Sequence, residues 1–328
     1  MIHTLESLLK LTRWYEWYDS KMALFFFAYY YLIFVYNKVH LQNMLLLLPL
    51  GIFFTSLASF GYMLNDYSDK SIDKVSGKVN AMSRLSDRQQ ILALAIALLV
   101  GFVAFIPFYR YKFAAMFAFL SYLCSILYSA YPFKFKEKGI MGLTCVSLAQ
   151  WVLPVLIVFG IFEHFGLDTL FFTMLSFLIG LRWILVHQLI DRDKDIRANI
   201  ETFSVSRIPI QVYVAIRFLF TLEFILMIAL VSVMISTSFK VLPLIIAYFM
   251  FELYLAPFWK KLGLKHLLSS YYFAPLSDLY FFWFPLWLSI LLGCINHWFF
   301  IITAIEILWK QTYIKFDIDL IRLRRQSI

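Results

Sequence analysis

Charge is scarce in this chain, and cysteine scarcer. Only 15% of its 328 residues are charged, where a soluble domain carries about 25%, so an ordinary water-facing surface is excluded over most of the length. The cysteines, Cys124, Cys145 and Cys294, lie in apolar runs with no metal-ligand spacing, and an odd count argues against a disulfide framework. They read as small buried apolar residues. A cleavable signal is also missing. Glu6, Lys10, Arg13, Glu16, Asp19 and Lys21 mix both signs where a signal has a basic flank, and no small-residue cleavage site follows. The first apolar run is therefore expected to stay as an anchor. No stretch reads as a soluble domain, a low-complexity linker or a short-period repeat. The net charge of +9 does not point to nucleic acid, because the basic residues sit in short loops between apolar runs.

What the chain has instead is apolar surface: 62% of its residues are hydrophobic and 20% aromatic. These fall into runs of about 15–25 residues, the length that crosses a bilayer as helix. The expected fold is an all-α polytopic membrane bundle of about nine transmembrane helices. Candidate spans lie at 22–37, 44–64, 90–109, 113–131, 140–161, 168–189, 211–236 and 239–257. The last apolar region, 277–309, is either one span plus an interfacial helix or two short spans turning at Asn296-His297. Residues 1–21 read as an interfacial helix, with Trp14, Tyr15, Trp17 and Tyr18 suited to the headgroup region. Residues 22–309 read as the transmembrane domain and 310–328 as a basic tail. Lys and Arg crowd the loops after the even-numbered spans, while Lys38, Arg110, Lys112 and Lys240 occupy the other side. This bias places the N-terminus and the even loops in the cytoplasm, in a bacterial-type plasma (inner) membrane. A basic tail on the same side calls for an even number of spans, or a last segment that does not fully cross.

Two acidic stretches stand out against this background. Asn65-Asp66-Tyr67-Ser68-Asp69-Lys70-Ser71-Ile72-Asp73 follows the second span. If helix continues through it, Asp66, Asp69 and Asp73 sit at i, i+3 and i+7 on one face. Like charges so placed repel unless a cation sits among them, and carboxylate oxygens suit a hard ion such as Mg²⁺. Asp191-Arg192-Asp193-Lys194-Asp195 follows the sixth span, with Asp191 and Asp195 sharing a face. Both stretches emerge on the same side, where two acidic patches facing each other would hold metal ions and a diphosphate between them. The competing reading is a pair of solvated charged loops.

Three motifs then occur in order. Asn65-Asp66-x-x-Asp69-x-x-x-Asp73 with Gly77-Lys78-x-Asn80 resembles the first signature of the UbiA family of intramembrane prenyltransferases. Asp191-x-x-x-Asp195-x-Arg197-x-x-x-x-Thr202 resembles the second, and the segment from Tyr128 to Gly139 resembles the family's tyrosine-to-lysine loop. The resemblance implies a helix bundle around a central cavity. In it the Mg²⁺-bound diphosphate of a polyprenyl donor ionises and a small acceptor captures the allylic cation. Carried over, Asn65, Asp66, Asp69 and Asp73 hold one metal–diphosphate edge, and Asp191 and Asp195 the other. Lys134 or Lys136 reaches the diphosphate, Tyr128 or Tyr131 sits near the leaving oxygen, and Lys78 and Arg197 are further phosphate contacts. Positive-inside topology explains those four basic residues equally well. The chain departs from the family pattern at Ala81-Met82-Ser83-Arg84, where an Arg-Pro pair is usual, and at Asn199, where glycine is common.

Remaining candidates concern the acceptor. Arg13 lies where the family often carries an Arg-Pro pair that shapes the acceptor site, with Trp14 replacing the proline. His187 shares a face with Asp191, as a structural hydrogen-bond partner or a proton acceptor. Arg182 either binds an anionic acceptor or pairs with a carboxylate. The function expected is Mg²⁺-dependent transfer of a prenyl group to a small acceptor within the membrane, an aromatic quinone precursor being one candidate. A membrane terpene cyclase and phosphoribosyl transfer to a polyprenyl phosphate are rival enzymes, and a cation-coupled transporter is the rival of another class. Against the transporter, the carboxylates fall at span ends rather than mid-membrane.

Overall fold

The computed structural model describes residues 5–77, 79–197, 200–269, 277–311, 313–315 and 318. These residues form helices joined by short turns. In chain order they are α1 (Leu5–Leu11), α2 (Lys21–Val35), α3 (Leu41–Ser76), α4 (Asp87–Phe105), α5 (Lys112–Ser129), α6 (Ile140–Ser147), α7 (Leu153–Ile161), α8 (Leu167–Arg197), α9 (Pro209–Thr237), α10 (Leu242–Ser269), α11 (Phe284–Ile295) and α12 (Phe300–Trp309). Among the described residues, six helical stretches are long and apolar enough to cross a membrane: 41–74, 87–108, 112–129, 140–161, 167–197 and 209–237. Shorter apolar helices cover 21–35, 279–295 and 297–309.

The chain forms two compact units. One comprises Met1–Met22 with Leu46–Leu226, the other Ala23–Leu45 with Met227–Ile328. In the first unit the 140–161 stretch is 78% buried, against 22% for 87–108. The former is the inner helix and the latter presents its apolar face outward, as a lipid-facing helix does. Close approach of backbones organises the interior, the device that replaces the hydrophobic effect between helices in lipid. A Cβ on Gly160 of α7 would stand 2.7 Å from the Ala114 backbone nitrogen of α5. One on Gly180 of α8 would meet Trp151 and Ser147. Between α6 and α7, Leu148–Val152 takes a π-helical turn, and Pro154, which has no N–H to donate, begins the helix that follows. Helix α4 starts from a capping box in which Ser86 and Gln89 satisfy each other's backbone N–H groups.

The second unit is knit by tyrosine–carboxylate bonds. Tyr30 donates to Glu306 (2.8 Å) and Tyr248 to Asp278 (2.7 Å), all four buried. The last apolar region breaks at Asn296, whose side chain caps the turn by accepting from Trp298 N–H. It is thus two short helices that turn at Asn296.

Residues 1–21 are not one interfacial helix. Helix α1 ends at Leu11, and Arg13 takes left-handed backbone (φ 51°), which turns the chain into a single 3₁₀ turn at Trp14–Glu16. Trp17 is buried rather than in a headgroup position, its indole N–H donating to the Thr12 carbonyl. Tyr15 remains exposed.

Candidate active site at the helix ends of the first unit

Helix α3 does run through the first acidic stretch, and the i, i+3, i+7 face exists. Every carboxylate on it is oriented by a residue from elsewhere in the first unit. Asp66 is 3% exposed and accepts from Arg13 Nη1 at 3.0 Å. Asp69 accepts from Lys136 Nζ at 2.5 Å, and the same ammonium reaches Asn65 Oδ1 at 3.0 Å. Asp73 accepts from Asn80 Nδ2 at 2.7 Å, and that amide also donates to the Asp66 carbonyl. Asn80 thus ties the loop after α3 back onto the acidic face.

The second stretch lies on the last two turns of α8. Asp191 has His187 Nε2 at 3.5 Å and Lys194 Nζ at 3.0 Å. The His187 contact is an ion-pair distance rather than the hydrogen bond expected. Asp195 is buried and accepts from the Thr202 hydroxyl at 3.4 Å. Thr202 is placed by the loop that Ser204 and Arg192 pin to α8, through Gln188 O at 2.8 Å and Ser204 O at 3.0 Å. Asp193 points to solvent.

Tyr128 lies at the end of α5. Its phenol lies in the fields of both Asp69 and Asp195. Tyr131, the other tyrosine considered, is 79% exposed. Lys134 is likewise turned away, bonded to Glu137 at 2.9 Å and lying over the Tyr131 ring. Of the two loop lysines, Lys136 is therefore the one that meets the acids. Burial pushes the Lys136 ammonium below the ordinary lysine pKa, with Asp69 opposing the shift. Arg13 behaves in the opposite sense. Burial works against its charge, but the Glu16 and Asp66 carboxylates more than offset it and raise its pKa.

Arg182 corrects an expectation. It is not free to bind an acceptor, because Nε and Nη2 form a two-pronged bond to Glu223 at 2.7 and 2.8 Å, with both side chains buried. Arg197 is exposed at the end of α8. Lys78 and Asn199 lie outside the described residues. Sequence reasoning missed four members of the site. Glu16 grips Arg13 at 2.7 and 2.5 Å. Lys21 bonds to the Tyr62 hydroxyl and to Gln150. Glu16 and Lys21 left a trace, as charged residues of the stretch that begins at Arg13, and Tyr62 and Gln150 left none.

The donor set tests whether a hard cation fits. The carboxylates and the Asn65 carboxamide are all oxygen ligands. Among the described residues, no three acidic, histidine or cysteine side chains converge on one point. An all-protein cage is therefore absent from the described residues. Mg²⁺ does not ask for one, since it is held by one or two carboxylates together with substrate phosphates. Carboxylates spread along two helix ends fit that mode.

Fold and site together define an integral-membrane helical protein whose oxygen-rich polar residues gather at the ends of apolar helices. Residues 23–284 match the model of the UbiA prenyltransferase family, and the chain belongs to that family. Solved structures agree on the fold. A UbiA homolog from Archaeoglobus fulgidus bound to GPP and Mg²⁺ is 17% identical and superposes with a TM-score of 0.62, covering 91% of this chain and 99% of that one. The structures titled as bound to DMAPP and Mg²⁺ and to Cd²⁺ give TM-scores of 0.57 and 0.56 at 17% identity, each covering 86% of this chain and 99% of that one. No curated protein matches the chain.

Proposed function

We propose that this membrane prenyltransferase moves a prenyl group from a polyprenyl diphosphate to a small acceptor, an aromatic quinone precursor being the candidate class. The observation that carries the reading is the pair of acidic stretches at helix ends of one unit, their carboxylates held by Arg13, Lys136 and Thr202. The A. fulgidus homologs bound to GPP or DMAPP with Mg²⁺ support the donor class and the metal.

Asn65, Asp66, Asp69 and Asp73 would hold Mg²⁺ on one side of the diphosphate, and Asp191 and Asp195 on the other. When bound, the metal neutralises diphosphate oxygens and so makes the diphosphate a better leaving group. Lys136, now paired with Asp69 and Asn65, adds a point charge for the same oxygens. Tyr128 would stand near the leaving oxygen of the diphosphate. The acceptor forms the new bond to the allylic carbon and gives up a proton, with His187 near enough to Asp191 to take it. The excess of Lys and Arg in the loops at this end supports a site at the cytoplasmic rim of the plasma membrane. In this reading residues 22–309 form the transmembrane prenyltransferase-like domain and 310–328 a basic cytoplasmic tail.

The test is Asp66→Ala and Asp191→Ala in purified full-length protein, with labelled geranyl diphosphate, Mg²⁺ and candidate acceptors. Loss of prenylated product in both, with unchanged elution on size exclusion, supports the reading. Full turnover in either removes the stretch from the mechanism, and cyclised hydrocarbon formed without acceptor moves the reading to a cyclase.

A further inference from the structure

We propose that Gln90, on the first turn of α4, is a positioning residue for the first acidic stretch: it fixes the turn through which Asn80 holds Asp66 and Asp73. This rests on the prenyl-transfer reading above and adds to it a residue that acts through others.

Residues 80–86 contain no proline to stiffen the backbone. Two side-chain amides do that work. Asn80 is the first. Its Nδ2 donates to Asp73 Oδ2 and to the Asp66 carbonyl, each at 2.7 Å. Its Oδ1 accepts from the Ser83 N–H at 3.1 Å, and the Ser83 hydroxyl donates back to the Asn80 carbonyl at 2.7 Å. The amide that aims Asp73 is therefore itself placed by the 3₁₀ turn at Met82–Arg84.

Gln90 is the second, and it is 2% exposed. Its Nε2 donates to the Met82 carbonyl at 2.8 Å and to the Leu85 carbonyl at 2.7 Å, at the start of that 3₁₀ turn and just past its end. Its Oε1 accepts from Lys70 Nζ at 2.5 Å. Lys70 follows Asp66 by four residues and Asp69 by one on α3. Both N–H groups and the oxygen of this carboxamide are thus engaged, and they tie the turn to the helix that carries the acids by a route separate from Asn80. The Met82 side chain, fully buried beside Leu11, Phe60 and Met63, holds the same turn by packing. Apolar packing is non-directional, whereas hydrogen bonds fix orientation. A leucine at 90 would fill similar space and keep the packing, but it would release the rotation of the turn. That rotation reaches Asp73 through Ser83 and Asn80, and a displacement of about 1 Å at a reacting site can cost about 10²-fold.

The experiment uses full-length protein in nanodiscs and geranyl thiolodiphosphate, a donor analogue whose carbon–sulfur bond resists ionisation. The Mg²⁺ concentration that half-saturates analogue binding is read for the wild type, Gln90→Leu and Asp87→Ala, which removes the exposed partner of Lys70. Amide hydrogen exchange across residues 80–86 and the thermal midpoint are recorded without ligand. Gln90→Leu is expected to raise the half-saturating Mg²⁺ at least tenfold and to speed exchange in 80–86 at least tenfold. Asp87→Ala stays within threefold on both. A half-saturating Mg²⁺ in Gln90→Leu within threefold of wild type, whatever its thermal midpoint, makes Gln90 a structural residue only and overturns the proposal. A raised Mg²⁺ requirement with unchanged exchange overturns it too, because Gln90 would then not act through the turn. If Gln90→Leu does not elute as a single species, Gln90→Glu, which keeps an oxygen for Lys70 and gives up the amide donors, is judged by the same criteria. Failure of the wild type to bind the analogue at any Mg²⁺ concentration sinks the prenyl-transfer reading instead, and the ligand-free exchange still decides whether Gln90 orders the turn.

Discussion

The two acidic stretches solve one electrostatic problem differently. On α3, two of the three carboxylates are steadied from distant segments, Arg13 lying 53 positions before Asp66 and Lys136 67 positions after Asp69, while Asp73 takes Asn80 from the following loop. On α8 the partners are local. His187 and Lys194 are within four residues of Asp191, and Thr202 follows Asp195 by seven. The first stretch is therefore a product of tertiary structure and the second of one helix and its following loop. A partner mutated at the first should be felt across the site, and one mutated at the second should be felt little.

The largest effect expected is the one that would make the two equal. Asp66→Ala and Asp191→Ala should each lower kcat/KM by about 10³-fold or more, the scale of losing a group that stabilises developing charge. A surviving activity in only one would show that the stretches do not share a substrate. Next, Lys136→Met should cost about 10²-fold in kcat/KM, while Lys194→Met, whose side chain is 48% exposed, should change it less than threefold; equal losses would break the comparison. Tyr128→Phe should lower kcat by about tenfold or more, and Tyr131→Phe should leave it within twofold. Stability separates the regions once more. Glu223→Gln strands the buried Arg182 guanidinium and should cost about 3–5 kcal/mol in denaturant unfolding, with Arg182→Met plus Glu223→Leu recovering much of the loss. The smallest effect is at the helix crossing: Gly160→Ala should cost about 1–3 kcal/mol by overpacking against Ala114.

What the sequence made legible follows the same division. Spacing within one helix placed Asp66, Asp69 and Asp73 on one face, and hydropathy located the spans closely enough to put both acidic stretches at helix ends. The apolar run 277–309 announced a turn at Asn296 through its excess length. Long-range pairing left no such trace. Arg182 looks like a binding residue until Glu223, 41 positions on, closes over it. Lys134 and Lys136 are alike in sequence, and only the left-handed backbone at Lys134 (φ 39°) sets which one faces Asp69. Trp17 carries the composition of an interfacial aromatic and is buried because the chain breaks at Arg13. The π-helical turn that presents Gln150 has no periodicity to read, since one extra residue per turn shifts the pattern without abolishing it.

Helix α3 has 36 residues, which at 1.5 Å each makes a rod of about 54 Å, well beyond the roughly 30 Å of hydrocarbon it crosses. Membrane anchor and acidic face are therefore one continuous shaft with a fixed angular phase. Adding a single residue near its middle, well before the acidic face, would swing everything downstream by about 100°. Asp66, Asp69 and Asp73 would then turn from Arg13 and Lys136 with every side chain of the site still present, so that apolar sequence with no chemistry of its own sets the aim of the reaction.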